Sequence, residues 1–255
     1  MQVSKSKALV IAHYHEQGLL RSDTVKAIKV FADFFDEILL VSTHLLQSEQ
    51  YKVSEYCDVI LRENVGYDFY SYRAGMLLLL KRPEPFQLTL MNTSFLIFNP
   101  QKLLHNYFKQ HCERLDREFL GLTLSNEEFP HVQTYLFTIS PEKWRENPFI
   151  SWWKDMEPID ERMRVIKNYE LGLSDFMTRN GVEVSSAFQY SPNARAKEGW
   201  HIFNPTHGAA KDLFDEYGVL KIETYRLNPH QLDLDFLFSN DAQDMMMILK
   251  EGMHN

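Results

Sequence analysis

Residues Arg62 to Gly75 read RENVGYDFYSYRAG, with the strand-like run YCDVILR (56–62) leading in and the leucine-rich run GMLLLLKR (75–82) leading out. An asparagine, a glycine and an aspartate therefore crowd one strand-to-helix junction. In open α/β sheets ligands bind in the crevice beyond the carboxyl ends of the strands, and this junction stands at such an end. Gly66 lets the backbone come close to a ligand, Arg62 offers a planar cationic fork, and Asn64 and Asp68 can hydrogen-bond a base or ribose hydroxyls. The competing reading is a plain helix start, with Asp68 as its N-cap and Gly66 shaping the turn. The stretch alone fits both.

Working outward, KALVIAH (7–13) is a short continuous apolar run, Val25, Ile28, Ala32 and Phe35 recur at helical spacing, and EILLVST (37–43) is a second run. CDVILR (57–62) supplies a third strand, Phe69 to Arg82 a helix stopped by Pro83, and FQLTLMN (86–92) a fourth strand. Unbroken apolar strands separated by helices predict a mostly parallel sheet with helices on both faces, an α/β fold. The segments His13–Gly18, Arg62–Asp68 and Asn92–Ser94 should then converge on one site. EFLGLTLS and VQTYLFTIS read as two more strands, the second half exposed, and PEKWRENPFISWWKD as short helices. A helix runs from Asp160 to the stop at Asn180-Gly181, and after VEVSSAF and a loop come a helix, VLKIETY as a strand, and a Met-rich C-terminal helix that reads as a docking or packing element.

The chain has 255 residues and a net charge of −8, which fits one globular domain and argues against a nucleic-acid partner. Cys57 and Cys112 stand far apart with no secretory leader before them, so a reducing cytoplasm is expected. No stretch approaches the ~20 apolar residues of a transmembrane helix. The G-x-G-x-x-G, P-loop and G-x-S-x-G motifs are all missing, which disfavours dinucleotide dehydrogenases, P-loop NTPases and α/β-hydrolases. The polar cluster Asn92-Thr93-Ser94 at the next strand end tips the junction toward a ligand site.

RENVGYDFYSYRAG, LTLMNTSFLIFNP, FLGLTLSNEEFPHVQTYLFTIS, KNYELGLSDFM and FNPTHGAAKDLFDEYGVLKIETYRLNP occur in the order found in the rhamnan synthesis protein F family, which the chain resembles from about residue 7 to 230. The resemblance implies a GT-A-like (Rossmann-like) glycosyltransferase, rhamnosyl in type and inverting, that builds a cell-surface polysaccharide of O-antigen or rhamnan type. It implies a nucleoside diphosphate sugar as donor and a glycan acceptor, lipid-linked acceptors included. It also implies a place in the cytoplasm or at the inner face of the plasma membrane, beside other polysaccharide-synthesis proteins. One domain over 1–255 is expected, with a nucleotide-sugar half to about residue 100 and an acceptor half with the C-terminal helix beyond it. GT-A enzymes place an Asp-x-Asp-like motif after the fourth strand to hold Mg²⁺ or Mn²⁺. Thr93 stands where the family's carboxylate is expected, so the metal is in doubt and its ligands are unknown. A chain without that carboxylate could also be a non-catalytic module that binds sugar nucleotide or glycan within a synthase complex.

Without a metal, the leaving diphosphate needs side-chain and backbone donors. Arg62, Arg195, Lys197, His201 and His207 are candidates, the last four in or beside a loop able to close over the donor. On a helical wheel of 160–179, Glu170 falls inside the apolar arc of Val165, Ile166, Tyr169, Leu173, Phe176 and Met177, where a carboxylate is costly unless paired or working. The residues favour Glu170 as a general base over a structural ion pair, and the resemblance agrees, since inverting members carry their base on a helix at about this point. His13 and His15 are assigned to donor binding rather than to a metal, His131 to the acceptor side of catalysis, and one of Trp152 and Trp153 to a sugar-stacking platform.

Overall fold

The computed structural model describes residues 6–82, 86–112, 117–190, 204–229, 231–238 and 242–253. Strands and helices alternate through the first third: β1 (Ser6–His13), α1 (Ser22–Phe31), β2 (Glu37–Ser42), α2 (Gln47–Tyr51), β3 (Asp58–Leu61), α3 (Tyr67–Leu79) and β4 (Phe86–Asn92). The middle holds β5 (Phe95–Ile97), α4 (Pro100–Leu103) with the π-helical continuation Leu104–Cys112, and the short strands β6 (Phe119–Gly121), β7 (Leu124–Ser125), β8 (His131–Val132) and β9 (Leu136–Ile139). There follow α5 (Pro141–Trp144), α6 (Asn147–Lys154), α7 (Arg162–Val165), a π-helical turn over Ile166–Leu171, α8 (Gly172–Arg179) and β10 (Val184–Ser186). The C-terminal part comprises α9 (Pro205–Gly208), α10 (Ala210–Tyr217), β11 (Val219–Lys221), α11 (Ile222–Leu227) and α12 (Ala242–Met253).

Seven strands form one sheet in the order β10-β6-β9-β4-β1-β2-β3, with β9 antiparallel to both neighbours and every other pair parallel. This is the mostly parallel α/β sheet expected from the apolar runs. Alternation along β1 shows that both faces are covered: Leu9 and Ile11 join a core with Ile28, Phe31, Leu40 and Phe108, whereas Val10 and Ala12 join one with Val41, Tyr72, Met76 and Leu90. A third apolar cluster, with Leu96, Leu220, Ile248 and Leu249, seats α12 on the β5–β11 pair. Glu251 of α12 accepts hydrogen bonds from Ser22 N (2.7 Å) and Ser22 Oγ (2.6 Å), capping α1. The Met-rich helix therefore packs on the domain.

Several expectations are corrected. α1 ends at Phe31, because the chain turns at Ala32 and Phe35 reaches the core from outside the helix. β9 is buried throughout, since β4 and β6 flank it and both faces are covered. VLKIETY splits into β11 and α11, for the strand loses its partner β5 after Phe95 and the chain coils at Ile222. Each of the long strands read into EFLGLTLS and VQTYLFTIS is broken into two short ones. Trp153 is fully buried, and half-buried Trp152 packs edge-on against it with centroids 4.9 Å apart, so the pair is chiefly core.

Gly75 shows how tightly the helical layer presses on the sheet. A Cβ there would stand 2.5 Å from Cγ1 of the fully buried Val10 in β1. Alanine normally stabilises a helix interior by about 1 kcal/mol relative to glycine. Here Gly75→Ala is expected to destabilise by about 1–3 kcal/mol, the usual range for overpacking, as measured by urea unfolding.

Candidate functional site

The Arg62–Gly75 junction is a clamp built from its own side chains. Gly66 adopts φ 69° and forms the N-cap of α3, where a Cβ would meet the Tyr70 ring at 2.7 Å. The Arg62 guanidinium donates to Ser71 Oγ (2.8 Å), Glu63 O (2.7 Å), Val65 O (2.6 Å) and Tyr67 O. Four of its five N–H groups are spent on the turn, which corrects its assignment as a ligand fork: Arg62 sets the shape of the junction. Asn64 is exposed and, like Arg62, is absent from the lining of the cavity described below. Asp68, in the first turn of α3 rather than at its cap, is the residue the junction delivers.

Asp68 meets the turn after β4. Asn92 Nδ2 donates to Asp68 Oδ2 (2.7 Å), while Asn92 Oδ1 accepts from Ser94 N (3.0 Å) and Ser94 Oγ. The same turn is latched from below by Arg21, which donates to Thr93 O (2.6 Å) and Phe95 O (2.8 Å) and pairs with Asp23 at 2.9 Å. Asp23 also accepts from Ile97 N at 2.9 Å. Thr93 is buried and lies outside the cavity lining, so its assignment to the donor is corrected: its backbone holds the turn.

The loop after β1 is equally inward. His13 is buried, with Nδ1 2.8 Å from Ser42 Oγ and Nε2 3.0 Å from Leu19 O, and burial pushes its pKa down to about 4. His15 accepts from Gln17 N at 3.1 Å. Neither histidine lines the cavity: His13 ties the loop to β2 and His15 bonds within the loop, so the donor assignment of both gives way to a structural one. His201, Arg195 and Lys197 lie outside the described residues.

One cavity of about 1110 Å³ opens beyond these strand ends. Asp68, Asn92, Ser94, Thr134, Tyr135, Glu170 and Lys221 line it together with His131, Asn204 and His207, and Arg162, Arg164 and Lys167 stand on its rim. Glu170 arrives on the π-helical turn. Val165, Tyr169, Leu173 and Met177 are all buried at successive spacings of four, and the widened turn keeps this stripe on one face while Glu170, one residue past Tyr169, faces the cavity. Thr134 Oγ1 donates to Glu170 Oε2 at 2.6 Å, and among the described residues Oε1 takes no hydrogen bond. His131 is buried in the wall with Nδ1 2.8 Å from Phe129 O, and His207 Nδ1 lies 2.7 Å from Thr224 Oγ1.

Three charges share the floor. Lys221 donates to Ser94 Oγ at 2.6 Å and stands 4.6 Å over the Tyr135 ring, placed there because β11 pairs Lys221 with Phe95. Burial lowers its pKa, against the pull of Glu170 and Asp68. Burial raises Asp68 to about 6, and Lys221, Asn92 and Arg62 limit that rise while Glu170 adds to it. Both groups keep a strip of surface on the cavity while protein encloses the rest. Lys221, Thr134 and the rim cations were missed in the sequence; the one available signal was a lysine inside the apolar run VLKI.

A carboxylate whose pKa is higher folded than unfolded binds protons more tightly in the fold, so stability falls as pH rises between about 4 and about 6 and is level above. Asp68→Asn keeps an acceptor for Asn92 and removes this penalty. Melting curves should show the variant at or above the wild type at pH 7.5, by about 2–4 °C for each kcal/mol relieved, with the gap closing as pH falls to about 4.

Among the described residues no helix is long and apolar enough to cross a membrane, and no group of three or more His, Cys, Asp or Glu could hold a metal ion. The uncharacterized protein y4gN of Sinorhizobium fredii is 27% identical over 198 residues, covering 73% of this chain and 49% of that protein. Virulence protein VirA of Vibrio anguillarum is 32% identical over 215 residues, covering 72% of this chain and 67% of that protein. The chain thus spans about half the length of the first relative and two thirds of the second. Among solved structures, the glycosyltransferase GlyE of Streptococcus pneumoniae TIGR4 superposes with a TM-score of 0.48 at 13% identity, over 98% of this chain and 61% of that one. The model of rhamnan synthesis protein F matches residues 38–237, and the chain belongs to that family.

Proposed function

We propose that this protein is a glycosyltransferase that moves a deoxyhexose, rhamnose in the first instance, from a nucleoside diphosphate sugar to a hydroxyl of a growing cell-surface polysaccharide. The observation that carries the reading is Glu170, held by Thr134 in the same cavity as Asp68, Asn92 and Ser94. Membership of a family described as rhamnan synthesis protein F supports the sugar and the product class. The acceptor hydroxyl gives its proton to Glu170 Oε1 as its oxygen attacks the anomeric carbon. The bond from that carbon to the diphosphate oxygen breaks, and its electron pair leaves with the diphosphate. A single displacement of this kind inverts the anomeric centre. His131 flanks the acceptor, and Asn204 lines the same cavity. Asp68 takes hydrogen bonds from the donor. The first hundred residues form the donor half of one domain, and the reaction takes place on the cytoplasmic side.

Glu170→Gln tests this directly. Turnover should fall about 10²–10⁴-fold, the usual contribution of a general base, while calorimetric affinity for the nucleotide sugar changes less than about threefold. Undiminished turnover in the variant sinks the base assignment. A wild-type chain that binds nucleotide sugar or glycan but transfers nothing would instead establish the non-catalytic module, for which the buried, carboxylate-free Thr93 is the supporting observation.

A further inference from the structure

Resting on the transferase reading above, we propose that Lys221 is the catalytic cation of this site: its ammonium, not a divalent metal ion, receives the diphosphate of the donor and stabilises it as it leaves.

The turn after β4 is poorly made for a hard cation. Divalent Mg²⁺ and Mn²⁺ select charged oxygen ligands. Of the three residues at this turn, Thr93 is buried away from the cavity, and Asn92 Oδ1 already accepts two hydrogen bonds from Ser94. The remaining oxygen, Ser94 Oγ, accepts from Lys221 at 2.6 Å. A positive charge is thus fixed on the one side-chain oxygen that this turn leaves for a metal, and would repel it there.

The same arrangement suits a diphosphate. Among the described residues Lys221 makes a single hydrogen bond and no ion pair, so an ammonium with three donors keeps two unspent. Neither Asp68 nor Glu170 closes on it, although both share the cavity and both favour its charged form. Arg162 on the rim stands near enough for its charge to loosen the lysine's proton, and its own partner, Glu223, is exposed at 3.5 Å. Two cations facing one cavity, each weakly paired, form a receptor for a polyanion. As the anomeric carbon–oxygen bond breaks, negative charge grows on the departing phosphate oxygen, and Lys221 N–H donates to that oxygen without surrendering its proton.

The first probes are inorganic pyrophosphate and the diphosphates UDP, dTDP and GDP, titrated calorimetrically into the full chain in excess EDTA and in excess Mn²⁺. The wild type should bind pyrophosphate and at least one nucleotide with affinities that differ less than about threefold between the two conditions. Lys221→Met should weaken both at least about tenfold, and Lys221→Arg should restore most of the loss, as expected for charge-assisted hydrogen bonds. Circular dichroism and melting of each variant report folding, and the wild-type comparison with and without Mn²⁺ decides the question even if Lys221→Met does not fold. A tenfold gain in wild-type affinity on adding Mn²⁺, or unchanged binding in folded Lys221→Met, overturns the proposal and leaves the transferase reading standing. Pyrophosphate bound through Lys221 with no nucleotide bound keeps the anion site and sinks the donor assignment. No binding of any probe removes both.

Discussion

The architecture of the crevice depends on one buried ion pair. Arg21 and Asp23, at the start of α1, are both nearly inaccessible, and together they hold three backbone groups of the segment that follows β4: Arg21 takes the carbonyls of Thr93 and Phe95, and Asp23 takes the amide of Ile97. A buried pair of this kind gains little net stability by itself, but losing one partner leaves an uncompensated charge and costs about 3–5 kcal/mol. Its value here is positional. It fixes where the chain turns after β4, and so where Asn92 and Ser94 face, and it aligns β5, whose register with β11 sets Lys221 beside Ser94.

From that latch the polar side of the cavity follows as a chain of contacts. Asp68 from α3, Asn92 and Ser94 from the β4 turn, and Lys221 from β11 are joined by consecutive hydrogen bonds, so three elements far apart in sequence act as one rigid wall. Glu170 stands apart from this wall on Thr134. The two carboxylates therefore differ in kind. Asp68 is tied into the wall and pushed up to about 6 by burial, while Glu170 keeps one oxygen open to the cavity. Different surroundings for two carboxylates in one site are how a protein assigns them different work.

Much of this was legible in the sequence, for reasons of scale. β1, β2 and β4 are apolar-rich runs because both of their faces are covered, and such runs are the strongest local signal a chain carries. Strand ends, a loop and a helical face pointed to Asp68, Asn92, Ser94, His131 and Glu170 in the sequence, and all five line one cavity. What was missed is non-local. The two-residue strands β7 and β8 have no period to read. Lys221 and Thr134 gain their meaning only from partners 127 and 36 residues away. Arg62, His13 and His15 were placed correctly at strand ends but assigned to a ligand, because composition cannot show which way a donor points. In each case the side chain bonds a backbone carbonyl or amide of its own junction or loop, a group that would otherwise need a partner.

The position of Thr93 connects these observations. In the middle of a polar triplet a threonine reads as the loss of a ligand, and in a sheet whose β4 turn is free to face the cavity it would be one. Here Arg21 holds the Thr93 carbonyl, and the Thr93 amide donates to Ala12 at 3.1 Å, so the residue belongs to the packing beneath the turn. A carboxylate at this position would be buried close to the Arg21–Asp23 pair, adding a second negative charge where one is already balanced. Desolvation of a third charged group there is costly, so the latch and a carboxylate at position 93 work against each other. If the cavity receives an anion, as proposed, a chain that keeps the latch must neutralise it from elsewhere, and the cation bonded to this turn is Lys221 at the end of β11.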